Sequence, residues 1–324
     1  MAVYTQLTNE EIAALLESDY ALGKLSFAVG ITQGVENTNY LIALMHDGVE
    51  RKYILTLFER RVASEDLPFF MGLMSHLYDK GIDCPLPIIR KTGGVISTIK
   101  DKQAVIVTFL QGRSRTQPRN AHVAALGELV ARMHLATQDY RQTRENTLSL
   151  SGWHTLYEKI ESGLDGIRHG LAEMVKDELA FLDLHLPKGL PSGIIHADIF
   201  PDNVFFDEDN VTGVIDFYFA CADAFAYDLA IVLNAWCFEH RASFNYTKSA
   251  QLLAQYQRTR PLSNEEIAAF PVLCRAAALR FLLTRAHDTI YAQIGAQVAL
   301  KDPLEYVAKL EFHRSVSDAG AYGL

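Results

Sequence analysis

Apolar and polar positions along the chain change their period near residue 110. At the start, Ile12, Leu15 and Leu16 recur at helical spacing behind Thr8-x-x-Glu11, a capping box, and predict a helix. From Leu25 the pattern turns to strands. Tyr40–Leu44 and Lys52–Phe58 flank the turn residues His46-Asp47-Gly48 and predict a hairpin. Leu67–Lys80 has helical spacing and meets Gly81, a C-cap residue. Pro85 and Pro87 keep the next stretch extended. Ile88–Arg90, Val95–Ile99 and Ala104–Leu110 then predict three more strands. Residues 1–110 therefore predict a small, mostly antiparallel β lobe with one helix inserted after its third strand. Beyond Gln111-Gly112 the period is helical, as in Val123, Leu126, Val130 and Met133. Residues 111–324 predict a larger, mainly helical lobe, so the class is α+β. The exceptions are short β segments at Ile194-Ile195, Val204–Phe206 and Val214-Ile215. A β island among helices needs a reason, and the polar residues around it supply one.

Composition narrows the possibilities. The chain has 324 residues, 49% apolar and 21% charged, the balance of a globular protein rather than a disordered one. Thirty Lys and Arg stand against 39 Asp and Glu, a net charge of −9, which argues against a nucleic-acid partner. The four cysteines, Cys84, Cys221, Cys237 and Cys274, show no metal-binding or paired spacing and suit a reducing, cytoplasmic setting. Thr8-Asn9-Glu10-Glu11 precedes any long apolar run, unlike a signal peptide. The most apolar stretch, Cys221–Phe238, is interrupted by Asp223 and Asp228, so no membrane partner is expected. Oligomeric state is not legible.

The chemistry concentrates between residues 194 and 217. Two apolar strands flank the tip Asp207-Glu208-Asp209-Asn210. Asn203 begins the first strand and Asp216 ends the second, and in an antiparallel pair those positions are neighbours. An amide oxygen and a carboxylate there can ligate a hard cation such as Mg²⁺ while leaving positions for water and phosphate. Asp198, on the loop just before, can accept a proton from a hydroxyl held near that cation.

His196-x-Asp198-x-x-x-x-Asn203 followed by Ile215-Asp216-Phe217 resembles the catalytic and metal segments of the aminoglycoside phosphotransferase and choline kinase superfamily, small-molecule kinases with the bilobal protein-kinase-like fold. The resemblance implies ATP and Mg²⁺ as cofactors. It makes Asp198 the catalytic residue at the acceptor hydroxyl and Asn203 and Asp216 the Mg²⁺ ligands. His196 and Asp228, the latter from Asp228-Leu229-Ala230, would brace the loop. Gly30 to Gly34 would form the loop over the phosphates, and Thr108 to Gly112, with Thr108 and Leu110, the hinge whose backbone grips adenine. Within the superfamily, Gly34-Val-Glu-Asn-Thr-Asn-Tyr40, Lys52-Tyr-Ile-Leu-Thr-Leu-Phe-Glu59, Asp66-Leu-Pro-Phe-Phe70 and Arg144-x-Asn146 look most like the bacterial homoserine kinases of this fold. That implies an amino-acid acceptor, with Arg144 and Asn146, and Trp153 nearby, reaching its carboxylate and Asp223 its ammonium group.

One position departs from the pattern. Where the superfamily carries a phosphate-binding Lys or Arg on its third strand, this chain has Thr56; Lys52, Arg60 and Arg61 are the nearby cations. Two other readings therefore stay open. One is a kinase of choline, ethanolamine, hydroxylysine or an aminoglycoside, using Tyr218, Asp223 and Trp236. The other is a nucleotide-binding regulator without turnover. Arg280, Arg285, His287 and Asp288 read as interhelix ion pairs outside the site, with Arg280 and His287 on one helix face.

Overall fold

A computed structural model describes residues 4–31, 37–59, 62–291 and 300–324. The chain divides into two compact units, Met1–Gln111 with Gly213–Tyr218, and Gly112–Thr212 with Phe219–Leu324.

The first unit is built on a five-stranded antiparallel sheet of β1 (Lys24–Gly30), β2 (Thr38–His46), β3 (Val49–Leu57), β4 (Ile96–Ile99) and β5 (Lys102–Thr108), in the spatial order β1-β2-β3-β5-β4. The β2–β3 turn has Asp47 at φ 48° and Gly48 at φ 76°, the left-handed pair that matches strand twist in a two-residue hairpin. One face of the sheet is covered by α1 (Asn9–Asp19), whose Thr8–Glu11 capping box is present. Ile12, Leu15 and Leu16 pack there on Tyr40, Ile42, Leu55, Leu57 and Ile106. The helix α2 (Leu67–Asp79) follows β3 and ends at Gly81, with φ 77°.

Ile88–Arg90 does not become a strand. Only an isolated bridge joins Pro87 to Val107, with Ile88 N–H on Ile106 O and Thr108 N–H on Leu86 O. Pro85 and Pro87 lack the N–H groups a continuous ladder needs.

The second unit is helical around small β pairs. Its helices are α3 (Asn120–Ala136), α4 (Leu150–Ile167), α5 (Leu171–His185), α6 (Phe225–Trp236), α7 (Tyr246–Thr259), α8 (Asn264–Ile290) and α9 (Pro303–Arg314). β6 (Ser192–Ile195) pairs antiparallel with β9 (Cys221–Ala224), a strand the sequence pattern did not show. β7 (Val204–Asp207) pairs with β8 (Asn210–Val214), and the division between the units falls inside β8. A two-residue pair, β10 (Phe238–Glu239) and β11 (Ser243–Phe244), follows α6. The Cys221–Phe238 stretch is mostly α6, and Leu229 through Leu233 are wholly buried in it. By length and composition α8 could cross a membrane, but 67% of its apolar window is buried inside the unit, as in a core helix.

Candidate active site

The loop between β6 and β7 is held at nearly every peptide group. Asp228, on α6 and 0% exposed, accepts the N–H groups of His196 at 3.0 Å and Ala197 at 2.9 Å, and His134 Nε2 at 3.1 Å. Burial pushes the Asp228 carboxyl up, but the hydrogen bond from His134 and the other groups around it outweigh burial and bring it below its ordinary value. Ala197 sits at φ 64°, a left-handed conformation that costs a residue with a Cβ about 1–2 kcal/mol. Its peptides are gripped on both sides, because Arg280 Nη1 donates to Ala197 O at 2.6 Å. The left-handed turn therefore persists through its neighbours.

That turn delivers Asp198. Its N–H donates to His196 Nδ1 at 3.2 Å, so the ring proton of His196 sits on Nε2. Its carbonyl accepts Asn203 Nδ2 and Phe200 N–H, both at 2.9 Å. Asn203 Nδ2 also lies 3.2 Å from Asp198 Oδ2. Trp236 Nε1 donates to Ile199 O at 2.8 Å, which makes Trp236 a buried prop of the loop. It is not an aromatic wall for a cationic acceptor.

Asn203 is 8% exposed and closes the short helical turn Pro201–Asn203 before β7. Both contacts of its amide nitrogen go to Asp198, so its Oδ1 is the atom left for a cation. An amide oxygen is a hard donor, and so is a carboxylate such as that of Asp216, the kind of atom that suits Mg²⁺. No group of three or more His, Cys, Asp or Glu poised for a metal occurs among the described residues.

The structure thus brings His196, Asp198, Asn203 and Asp228 together in the second unit. Asp223 lies there too, on β9, half-buried, accepting Asn146 Nδ2 at 2.6 Å and the Ala224 N–H at 2.7 Å. Burial raises its carboxyl above the ordinary range despite those bonds. Arg144 O accepts the Ala222 N–H at 2.7 Å, and Arg144 Nη1 reaches Ala220 O at 3.3 Å. Residues 144–146 therefore run beside β9.

Asp216 belongs to the first unit, two residues past β8, with φ 68°. Gly30 ends β1 opposite Tyr40, whereas Gly34 lies outside the described residues, as do Arg60 and Arg61. Thr108 ends β5 with its Oγ1 accepting Leu86 N–H at 2.9 Å. Leu110 packs on Gly213, where a Cβ would come within 2.5 Å of Leu110 Cδ1.

Thr56 is buried and donates to Asn39 Oδ1 at 2.7 Å across the β2–β3 register. Tyr218 lies beside Thr56, with its ring edge-on to Phe58 and Phe70. The position where kinases carry a cation is therefore a neutral cluster. The unit holds another Lys–Glu pair that the sequence pattern did not single out: Lys102 Nζ bonds Glu59, which also accepts from Thr38 at 2.6 Å and Thr5 at 2.8 Å. Lys102 shares the strand face of Ala104 and Ile106, which belong to the core under α1. Leu57 is on that face, and Thr56 on the opposite one. The pair is thus no replacement for the missing cation.

Arg280 was read as an interhelix ion-pair residue outside the site, sharing a face with His287. It is instead 2% exposed and touches the loop at Ala197, while His287 lies beside Asp288 and Tyr291. The only sequence signal was an arginine inside the apolar run of α8.

Residues 28–262 match the phosphotransferase enzyme family. The homoserine kinase of Rhodospirillum rubrum is 49% identical over 324 residues, covering 100% of this chain and 99% of that protein. The homoserine kinase of Methylobacterium nodulans is 50% identical over 323 residues, with coverages of 100% and 99%. Among solved structures, a spectinomycin phosphotransferase in complex with ADP and spectinomycin superposes with a TM-score of 0.72 at 12% identity, covering 98% of this chain and 100% of that one. An amicoumacin kinase in complex with AMP-PNP, Ca²⁺ and Ami gives 0.68 at 16% identity, with coverages of 97% and 95%. These two share the fold, which is the protein-kinase-like fold of aminoglycoside phosphotransferases. The chain belongs to the phosphotransferase enzyme family.

Proposed function

We propose that this member of the phosphotransferase enzyme family transfers the γ-phosphoryl group of ATP to the side-chain hydroxyl of L-homoserine, releasing O-phospho-L-homoserine and ADP on the route to threonine. The observation that carries the reading is identity near one half with homoserine kinases over the full length of this chain, and so across both units. The four cysteines, all free and buried, suit the cytoplasm as the setting.

Asp198 is assigned the acceptor hydroxyl. Its carboxylate aligns the oxygen and takes its proton as the bond to phosphorus forms, a role that asks for the rigid presentation given by Ala197, Asn203 and Asp228. Asn203 and Asp216 are assigned Mg²⁺, which when bound neutralises charge on the β- and γ-phosphates. Gly30 and Gly34 are assigned the phosphate loop, and the backbone at Thr108 and Leu110 the adenine. Asp223 is assigned the substrate ammonium and Arg144 the carboxylate end of its pocket. The transition state is loose, so positioning and charge stabilisation supply most of the rate.

The test is ADP release with homoserine, choline and kanamycin compared side by side, and with Asp198→Ala. Homoserine is expected to be turned over far faster than the other two. Asp198→Ala is expected to lower kcat about 100- to 10,000-fold with ATP binding retained. Preferential turnover of choline or kanamycin, or near-normal turnover by Asp198→Ala, overturns the reading.

A further inference from the structure

Five Lys or Arg residues are buried among the described residues: Lys248, Arg260, Arg280, Arg285 and Lys309. Four have a carboxylate partner, namely Glu239 for Lys248, Glu266 for Arg260, and Glu305 for both Arg285 and Lys309. Arg280 has none within 4.0 Å among the described residues. Its guanidinium is always charged, and a buried charge without a counter-ion is strongly unfavourable. The faces of Phe281 and Phe219, 4.6 and 5.6 Å from its Cζ, only partly compensate.

The neighbours of Arg280 lack the same thing. Arg280 Nε and Trp153 Nε1 are buried with no hydrogen-bond partner among the described residues, and the Tyr227 hydroxyl, likewise without a bond of good geometry, sits close enough to Arg280 to interact with it. Tyr227 and Trp153 are 3% and 2% exposed, and their ring centroids are 6.3 Å apart. The Tyr227 hydroxyl lies in the field of Arg280, as does the carboxylate of Asp223. Guanidinium and indole N–H groups only donate, and a phenol can donate. What this wall lacks is an acceptor, and the unpaired charge makes that acceptor an anion.

We infer that Arg280, Tyr227 and Trp153 join Arg144 in binding the α-carboxylate of the acceptor, with Asp223 beside them for its ammonium group. The inference rests on the proposed amino-acid acceptor and deepens it. Arg280 Nη1 is fixed to the carbonyl of Ala197, the residue before Asp198. A carboxylate held by Arg280 is thereby placed relative to the group that receives the hydroxyl, which couples recognition of one end of the substrate to chemistry at the other. The wall also defines the substrate class: amino alcohols and polyols would leave the donors unmatched, and hydroxy amino acids satisfy them.

The test compares L-homoserine with 3-amino-1-propanol, the same chain without its carboxylate. Initial rates and the acceptor-induced shift in melting temperature are measured for the unsubstituted enzyme, Arg280→Gln, Tyr227→Phe and Trp153→Phe. Tyr227→Phe removes one oxygen atom and serves if Arg280→Gln fails to fold. For homoserine, the KM is expected to rise about 5- to 30-fold in Tyr227→Phe and about 100-fold or more in Arg280→Gln, with the melting shift reduced in parallel. The kcat/KM for 3-amino-1-propanol and the KM for ATP should move less than about twofold in Tyr227→Phe. Equal losses on both acceptors, a change in the ATP KM instead, or an unmoved homoserine KM overturns this inference alone. Turnover of 3-amino-1-propanol without turnover of homoserine by the unsubstituted enzyme overturns the functional reading along with it.

Discussion

Asp228→Asn is expected to separate loop geometry from nucleotide binding. The carboxylate receives three donors at 2.9–3.1 Å in a fully buried position. Asparagine offers one acceptor oxygen there and turns its own N–H₂ group toward donors. At least one charge-assisted bond is lost and one buried N–H is left unpaired, together about 4 kcal/mol. For a unit of this size that lowers the melting temperature by about 8–16 °C. The left-handed peptide at Ala197 also loses one of its two clamps, so Asp198 is presented less rigidly and kcat falls while the KM for ATP holds.

The pH dependence of this variant has a definite sign. The Asp228 carboxyl titrates below its ordinary value in the folded protein, so its stabilisation is present above the unfolded value and disappears only as pH falls through the folded one. The stability gap between the two proteins is therefore flat from about pH 5 to 8 and closes only at stronger acid, below about pH 4. Urea unfolding across that range, with steady-state kinetics at pH 7, measures both quantities. A variant within about 1 kcal/mol of the unsubstituted protein with full kcat would refute the clamp.

Three other outcomes are expected. Lys102→Met should cost about 1–2 kcal/mol and leave the KM for ATP within about twofold, because the Lys102–Glu59 pair is on the α1 face of the sheet; a large rise in that KM would return Lys102 to the phosphates. His313, buried between Tyr322 and Asn234, is pushed down to about 3, chiefly by burial. Its unfolded ring takes a proton near pH 6.5, so stability is complete above that pH and falls as pH drops toward the folded value, by about 2 kcal/mol at pH 5; His313→Gln should flatten the slope between pH 7 and 5 by about one proton, and coincident slopes would exclude this. Gly112→Ala forces a Cβ to 2.2 Å from Thr212 Oγ1 at φ 105°, and calorimetry should show a loss of about 2–4 kcal/mol.

Much of the fold was legible because its periods are local. The Thr8–Glu11 box, the Asp47-Gly48 turn and the Gly81 stop each follow from a few adjacent residues, and each occurs. Ile88–Arg90 was misread because apolar content and extension alone do not make a ladder, and the neighbouring prolines withhold donors. β9 was missed because Cys221–Ala224 is too short to show a period, and its pairing with β6 joins segments nearly thirty residues apart.

By itself the sequence determined the class of the molecule. Alternating and helical periods assigned the two architectures to the two parts of the chain, and the spacing of His196, Asp198, Asn203 and Asp216 carried the resemblance to phosphotransferases, because such a resemblance rests on residue types at nearly fixed separations. Tertiary structure alone decided the state of each buried charge. Arg260 and Arg280 look alike as letters in the helical part of the chain, yet one faces Glu266 and the other meets no carboxylate among the described residues. Lys102 fell before the strand expected from Ala104, and only the register put it on the face of Ala104, away from Thr56. The physical reason is range. Backbone preference acts over a few residues, whereas desolvation and charge pairing depend on what packing brings within a few ångströms from anywhere in the chain.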